Sequence, residues 1–269
     1  MRIKLHTCVT PTTTYMPSQN QYITYWEKQG WIERIQIPML KDGRYISWVG
    51  RVGGLALEPS NVRAISQPYE YVLACQYRSD WYDNPKILAW NFYPRDYESL
   101  YKVQKELPLE KKALSIFSGT IRGDKHNRNQ WINSTEIFSY KPARRYTRTN
   151  VLYKTMEDYY RALATTKFGL CLVGDCPICQ REIETLGLGC VPIYTPGVEW
   201  KYFVPPIENV HFLYANNPQE MNDKISKLSD NDRIEMAHNG IAYFEDYVSP
   251  TGLWNSVLET IEKYNIKVD

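Results

Sequence analysis

The sequence lacks a long hydrophobic run. No uninterrupted apolar stretch approaches the roughly 20 residues that a transmembrane helix needs, so no membrane span is expected. The first fourteen residues contain no apolar segment of the kind found in secretory signals, which favours a cytoplasmic protein of the producing or host cell. Low-complexity stretches and repeats at a solenoid period are also missing, which excludes fibrous and repeat architectures.

An excess of charge of one sign is missing as well. The chain has 32 Lys and Arg against 30 Asp and Glu, a formal net charge of +2. Dedicated nucleic-acid binders usually have a strong basic excess, so no nucleic-acid partner is expected. The 43% hydrophobic and 23% charged fractions are typical of globular proteins, and 269 residues suffice for two domains or one large one.

A second pair of metal ligands is missing near the one C-x-x-C motif, Cys176 to Cys179. A structural zinc site needs such a pair, and a thioredoxin-like motif would follow the first strand of its βαβ unit. We therefore expect no metal and no resident cofactor. A redox or zinc role for this pair stays open beside the simpler interpretation of free thiols in a reducing compartment.

Aromatic residues, by contrast, are abundant, with 22 tyrosines, 8 tryptophans and 7 phenylalanines. Tyrosine combines an apolar ring with a hydroxyl, which suits surfaces that stack sugars or bases. An aromatic-rich core is the alternative interpretation.

Strand-like and helix-like segments alternate along the chain, most regularly after residue 110. This alternation is typical of an α/β fold and predicts a parallel sheet with helices on both faces. A charged, proline-containing stretch at 107–112 is a candidate linker. We therefore expect two lobes, 1–110 and 111–269, the first less regular, with the option that the final helix packs back on the first lobe.

The apolar patterns predict particular elements. Strands are expected at 2–6, 71–75, 86–90, 113–117, 168–173, 190–194 and 210–214. Helices are expected at 21–29, 97–106, 156–165, 179–188, 218–228, 230–247 and 250–264. Gly30 and Gly189 are expected to end the helices before them.

Anion-binding features follow two of these strands. S-G-T-I-R-G-D-K-H-N-R follows Phe117, and Gly174-Asp175 precedes a helix start. Glycines admit an anion to backbone N–H groups, and arginine offers a fork that matches phosphate oxygens. Arg181 and Glu184 lie three positions apart, on one helical face. They are either an ordinary surface pair, or Arg181 binds a diphosphate and Glu184 binds the hydroxyls of a ribose.

A longer string is more specific. T-K-F-G-L-C-L-V-G at 166–174, R-E-I-E at 181–184 and G-C-V-P-I at 189–193 resemble the C-terminal signature of exostosin-like glycosyltransferases. That family has an S-K-F-x-L-x-x-x-G strand, an R-x-x-E helix and G-C-[IV]-P-[IV]. Thr166 replaces the commoner serine, and Val173 replaces the usual arginine before the glycine.

The resemblance is looser at the strand before Gly119 and Arg122 and at 247–250, and it does not cover the first 110 residues. It implies a GT-B-like architecture of two Rossmann-like lobes with a cleft between them. It also implies an inverting, metal-independent transfer of a sugar from a nucleotide sugar to a glycan or glycoprotein hydroxyl. Compact soluble forms of this family occur in bacteria and in large DNA viruses of algae.

The resemblance favours UDP as the nucleotide, with UDP-xylose as one candidate donor and glucuronic acid, galactose and N-acetylglucosamine still open. The donor is expected to contact Gly119, Thr120, Arg122, Arg128, Gly174, Asp175, Arg181 and Glu184. An inverting transfer also needs a general base, for which Asp80 is favoured and His6 is the other candidate. Trp81, Tyr82 and Trp90 are candidates for stacking on the acceptor, or for the core.

A non-catalytic carbohydrate- or nucleotide-binding protein on the same lobes is the alternative function. Loss of Arg181 or Glu184 would mark a degenerate site. Both residues are present, which favours the enzyme.

Overall fold

A computed structural model of the chain describes residues 2–7, 11, 17–36, 47–54, 69–74, 87–89, 93–117, 128–132, 153–173, 180–199, 204–263 and 265. Contacts divide the chain into two compact units. Unit 1 comprises Met1–Tyr97, Lys201–Phe203 and Asp246–Asp269, and unit 2 comprises Glu98–Trp200 and Val204–Glu245. The fold is of the α/β class.

The described residues form nine strands and eight helices. The strands are β1 (Ile3–Thr7), β2 (Ile32–Gln36), β3 (Ser47–Gly54), β4 (Tyr69–Ala74), β5 (Ile87–Ala89), β6 (Ala113–Ile116), β7 (Thr166–Cys171), β8 (Val191–Tyr194) and β9 (Leu213–Tyr214). The helices are α1 (Pro17–Lys28), α2 (Tyr97–Gln104), α3 (Arg128–Ile132), α4 (Met156–Ala164), α5 (Gln180–Gly187), α6 (Pro218–Lys227), α7 (Asp230–Tyr247) and α8 (Pro250–Lys263).

Unit 1 contains a mixed sheet with the strand order β2-β1-β3-β4-β5. The outer pairs, β1 with β2 and β4 with β5, are parallel. The central strand β3 runs antiparallel to both of its neighbours. This sheet therefore departs from the all-parallel arrangement, and β2 and β3 were not predicted.

Aromatic side chains of α1 and α8 form part of the core of unit 1. Tyr22 and Trp26 are fully buried on α1. The Tyr22 hydroxyl donates to the Val248 carbonyl at 2.6 Å, and the Trp26 indole N–H donates to the Pro250 carbonyl, also at 2.6 Å. The Trp26 and Trp254 rings lie 5.2 Å apart. For these residues the core interpretation of the aromatic abundance is correct.

Unit 2 contains a parallel sheet with the order β6-β7-β8-β9. All three strand pairings are parallel, so the carboxyl ends of the four strands lie along one edge. In parallel α/β sheets this edge is where ligands usually bind.

Both faces of this second sheet are covered by helices, as the strand–helix alternation predicted. Successive strand residues point to opposite faces. Phe168 and Leu170 belong to a core cluster that includes Met221 of α6 and Met236 of α7. Gly169, between these two residues, faces α5 on the opposite side of the sheet, because a Cβ atom placed there would lie 2.5 Å from Thr185 Cγ2.

Particular residues of the sequence end α5 and begin α4. Gly189 adopts a φ of 63° after α5, and the Cys190 N–H donates to the Thr185 carbonyl at 3.2 Å, which is a Schellman ending. Helix α4 begins with a capping box between Thr155 and Asp158. Both helices lie within a residue or so of their predicted bounds.

Candidate functional site

The carboxyl edge of the second sheet brings together residues from four elements. Strand β6 is followed directly by Phe117, and β7 is followed by Leu172 and Val173. Helices α3 and α5 each contribute one arginine to this edge, Arg128 and Arg181. We describe Arg128 and Arg181 together as the arginine pair.

Arg128, on the first turn of α3, is held at the end of β7. Its Nε donates to the Val173 carbonyl at 3.1 Å, and its Nη2 donates to the same oxygen. The side chain is half-buried. A guanidinium group has five N–H donors, and these two bonds to one carbonyl use two of them.

Arg181, in the first turn of α5, is held at the end of β6. Its guanidinium carbon lies 4.5 Å from the centroid of the Phe117 ring. The residue is only 8% exposed. A cation over an aromatic face is stabilised by the ring quadrupole, more strongly where water is excluded.

The arginine pair therefore places two guanidinium groups where two adjacent parallel strands end. Val173 lies two residues beyond β7, and Phe117 lies one residue beyond its neighbour β6. Guanidinium groups bind phosphate oxygens through paired N–H donors, and a poorly solvated site strengthens such bonds. The arrangement is suited to an anion with several oxygens, such as a diphosphate.

Glu184 lies one helical turn after Arg181 and is fully buried. Its Oε1 accepts a hydrogen bond from the Tyr160 hydroxyl of α4 at 3.0 Å. Tyr160 is itself fully buried. A ligand contact with the Glu184 carboxylate therefore requires a rearrangement of this pair.

Glu182 is a buried carboxylate that the sequence analysis did not single out. It is fully buried in the first turn of α5. Burial raises the pKa of the Cys171 thiol well above its usual value, and the negative charge of Glu182 raises it further, so this carboxylate lies near the end of β7. Helical periodicity placed Arg181 and Glu184 on one face and Glu182 off it, but α5 is buried from Arg181 to Gly187 on every face.

Several predicted site residues lie outside the described part of the chain. These are Asp80, Trp81, Tyr82, Trp90, Gly119, Thr120, Arg122, Gly174 and Asp175, together with Cys176 and Cys179 of the C-x-x-C motif. The backbone of His6 is described as the fourth residue of β1, next to the carboxyl end of that strand.

The described thiols are unsuited to nucleophilic chemistry. Cys171 and Cys190 are both free and buried. Burial raises the pKa of Cys190 to about 11, so the thiol stays protonated near neutral pH. Within the described residues there is also no group of three or more His, Cys, Asp or Glu side chains placed to hold a metal ion.

Among the helices that the structure describes, none combines the length and the hydropathy that crossing a membrane requires. Searches against protein-family models and against curated proteins found no match to this chain.

Proposed function

We propose that this protein is an inverting glycosyltransferase that moves a sugar from a nucleotide sugar, with UDP as the favoured nucleotide, to a glycan hydroxyl. Unit 2 binds the donor, and unit 1 supplies the acceptor side of a GT-B-like, two-lobed enzyme. The sequence similarity at 166–193 and the parallel sheet of unit 2 support this proposal.

The observation on which the proposal mainly depends is the arginine pair. Arg128 is fixed on the Val173 carbonyl and Arg181 lies over the Phe117 ring, at the ends of neighbouring parallel strands. The two side chains are held by different partners, so both are already ordered before a ligand binds. Preorganised cations of this kind lose little conformational entropy when they bind an anion.

In the proposed reaction, the acceptor hydroxyl oxygen attacks the anomeric carbon from the side opposite the diphosphate. A general base, Asp80 or His6, takes the hydroxyl proton. The bond between the anomeric carbon and the diphosphate oxygen breaks, and the electron pair leaves with the diphosphate. Arg128, Arg181 and Arg122 stabilise the negative charge that develops on this leaving group.

A metal ion is not needed for that stabilisation, because two or three guanidinium groups supply the positive charge. We therefore expect the affinity for the nucleotide to be the same in EDTA as in Mg²⁺.

The experiment is a thermal-shift panel of UDP, GDP, ADP and CMP and their sugar conjugates, each measured with Mg²⁺ and with EDTA. A ligand at a hundred times its Kd adds about 2.7 kcal/mol of stability, which is readily detected. A selective response to one nucleoside diphosphate that EDTA leaves unchanged supports the proposal. A response that requires Mg²⁺ contradicts the metal-independent mechanism, and no response to any member contradicts the proposed function.

A second measurement separates the enzyme from a non-catalytic binding protein. The responding nucleotide sugar is incubated with the protein and a mixture of glycan acceptors, and release of the nucleoside diphosphate is followed. Release that depends on acceptor indicates transfer. Tight binding with no release over many hours would favour the binding protein.

A further inference from the structure

We infer that Tyr160 is a positioning residue for Arg181, acting through Glu184 and the helix that bears both. The inference rests on the proposed function, because it takes Arg181 as a ligand of the diphosphate. It assigns a role to a residue outside the predicted donor site, and it gives Glu184 an interior role in place of a ribose contact.

The Tyr160–Glu184 pair joins α4 to α5 in the interior of unit 2. Both residues are fully buried, and the hydroxyl donates to Glu184 Oε1 at 3.0 Å. A hydrogen bond to a charged group is worth more than a neutral one, and burial strengthens it further. The bond therefore fixes the part of α5 that contains Glu184 relative to α4.

Arg181 lies on the same helix as Glu184. Arg181 and Glu184 lie three positions apart on the helix, which is an axial rise of roughly 4.5 Å and the same helical face. The Thr185 hydroxyl donates to the Arg181 carbonyl at 2.6 Å, so the turn between these residues is closed. A shift of Glu184 is therefore transmitted to the backbone of Arg181.

The carboxyl end of α5 has its own tie to α4. The Lys111 ammonium group donates to the Ala164 carbonyl, at the end of α4, and to the Gly189 carbonyl, after α5, both at 2.8 Å. That tie fixes the carboxyl ends of the two helices. The Tyr160–Glu184 bond is a second tie between the two helices, and it lies nearer to Arg181.

Tyr160 is in turn firmly held. The capping box of Thr155 and Asp158 fixes the start of α4, and the Tyr159 ring lies 5.4 Å from the Tyr160 ring. Tyr159, the preceding residue of the same helix, is 4% exposed and offers a matched control, because Tyr159→Phe also removes one tyrosine hydroxyl from α4.

The test compares two affinity ratios in Tyr160→Phe, Tyr159→Phe and Arg181→Lys. The first is the affinity for UDP over that for uridine, which reports the diphosphate contacts. The second is the affinity for UDP over that for 2′,3′-dideoxyuridine diphosphate, which reports the ribose contacts. A variant that is merely less stable loses active protein equally for all three ligands, so both ratios stay at the wild-type value.

We expect Tyr160→Phe to lower the UDP-to-uridine ratio about three- to tenfold and to leave the UDP-to-dideoxy ratio unchanged; the fall is smaller than that for a lost charged hydrogen bond because Arg181 is still present but less well oriented. Tyr159→Phe should leave both ratios unchanged. If the UDP-to-dideoxy ratio falls instead, Glu184 serves the ribose directly and the positioning role is wrong.

Arg181→Lys separates the failure of this inference from the failure of the proposed function. If Arg181→Lys lowers the UDP-to-uridine ratio and Tyr160→Phe does not, the inference is overturned and the diphosphate site stands. If Arg181→Lys leaves the ratio unchanged, the proposed site itself is overturned, and the inference with it.

Should Tyr160→Phe fail to fold, Glu184→Asp replaces it. The shorter side chain withdraws the carboxylate from the Tyr160 hydroxyl, and the same fall in the UDP-to-uridine ratio is expected. An unchanged ratio in Glu184→Asp overturns the inference.

Discussion

The two units bury different kinds of polar groups. Among the described residues, the buried polar side chains of unit 1 are neutral: Thr7, Ser18, Gln19, Ser249, Ser256 and Thr260. The described part of unit 2 buries four charged side chains, Arg181, Glu182, Glu184 and Arg233, and three of these lie on α5.

This difference matters because neutral polar groups and charged groups differ in the free-energy cost of burial. A neutral hydroxyl or amide is accommodated by one or two hydrogen bonds, as in the 2.7 Å bond from Gln19 Nε2 to the Tyr93 hydroxyl. A buried charge loses much more hydration free energy and often contributes no net stability even when it is paired. Three such residues on one short helix are therefore costly for stability, and this cost distinguishes α5 from the helices of unit 1.

The largest effect is expected where unit 1 depends on a single aromatic side chain. Trp26→Ala removes a fully buried indole and leaves the Pro250 carbonyl without this donor. Such truncations typically cost about 3–5 kcal/mol. Hydrogen exchange followed by mass spectrometry should show faster exchange in α1 and α8.

Tyr25→Phe is the matched control on the same helix. It removes only an exposed hydroxyl contact with Thr251 at 3.1 Å. Exchange in α1 should then stay near the wild-type rate. Equal acceleration in both variants would contradict the view that the indole of Trp26 holds α1 to α8.

A somewhat smaller effect is expected where α5 approaches β7 in unit 2. The Cβ atom of Gly169→Ala would lie 2.5 Å from Thr185 Cγ2 and 2.8 Å from its Oγ1. Overpacking of this kind costs about 1–3 kcal/mol. Urea denaturation of the variant should show that loss.

A double-mutant cycle with Thr185→Ala tests the cause of the loss. The alanine removes both of the clashing atoms, so Gly169→Ala should cost clearly less in that background than in the wild type. Additive costs would show that the close approach of α5 to β7 is not the source.

The smallest effect per residue concerns pH. Hydrogen bonds lower the pKa of three carboxylates in unit 2. Arg161 donates to Glu106 and the Asn216 backbone N–H donates to Glu220, and each bond lowers the carboxylate pKa from its ordinary value of 4.5. Lys167 donates to Asp230 and lowers its pKa from 3.8. A carboxylate with a lowered folded-state pKa adds stability above its unfolded pKa, and this stability is lost as the pH falls through the folded pKa.

We therefore expect unit 2 to lose stability as the pH is lowered through and below about 4, whereas the hydrogen bonds of Tyr22 and Trp26 in unit 1 do not titrate there. Asp230→Asn should make the acid-induced loss in unit 2 shallower. Hydrogen exchange at pH 6 and pH 3.5 resolves the two units, and an identical pH response of Asp230→Asn and wild type would contradict this assignment.

The sequence predicted unit 2 better than unit 1 for a physical reason. In a parallel sheet each strand is followed by a helix, so apolar runs such as 168–173 stand apart from periodic segments such as 156–165. In unit 1 the antiparallel β3 has the composition S-W-V-G-R-V-G-G, whose three glycines mimic a loop. The short β2 contains two adjacent charged residues, Glu33 and Arg34, which interrupt the alternation of apolar and polar residues that predicts a strand.

The candidate site was predictable only in part. Arg181 is singled out by the R-x-x-E string at the start of a predicted helix, and Arg128 by its place in the S-G-T-I-R-G-D-K-H-N-R segment after Phe117; their roles stay predictions. The full burial of Glu182 and Glu184 was not predictable, because periodicity reports one buried face and α5 is enclosed on all sides. The Tyr160–Glu184 bond joins residues 24 positions apart and has no local signal.

The most direct test of the account is the affinity for UDP of Arg181→Lys against Arg161→Lys, measured by calorimetry in EDTA. Lysine keeps the charge and loses the planar fork. Arg161 lies on α4 of the same unit, where it pairs with Glu157 at 2.9 Å on the surface. We predict that Arg181→Lys weakens binding about tenfold or more while Arg161→Lys stays within about twofold, as expected for a lost charged hydrogen bond against a surface pair. Equal affinities for the two variants would contradict a diphosphate site at the arginine pair.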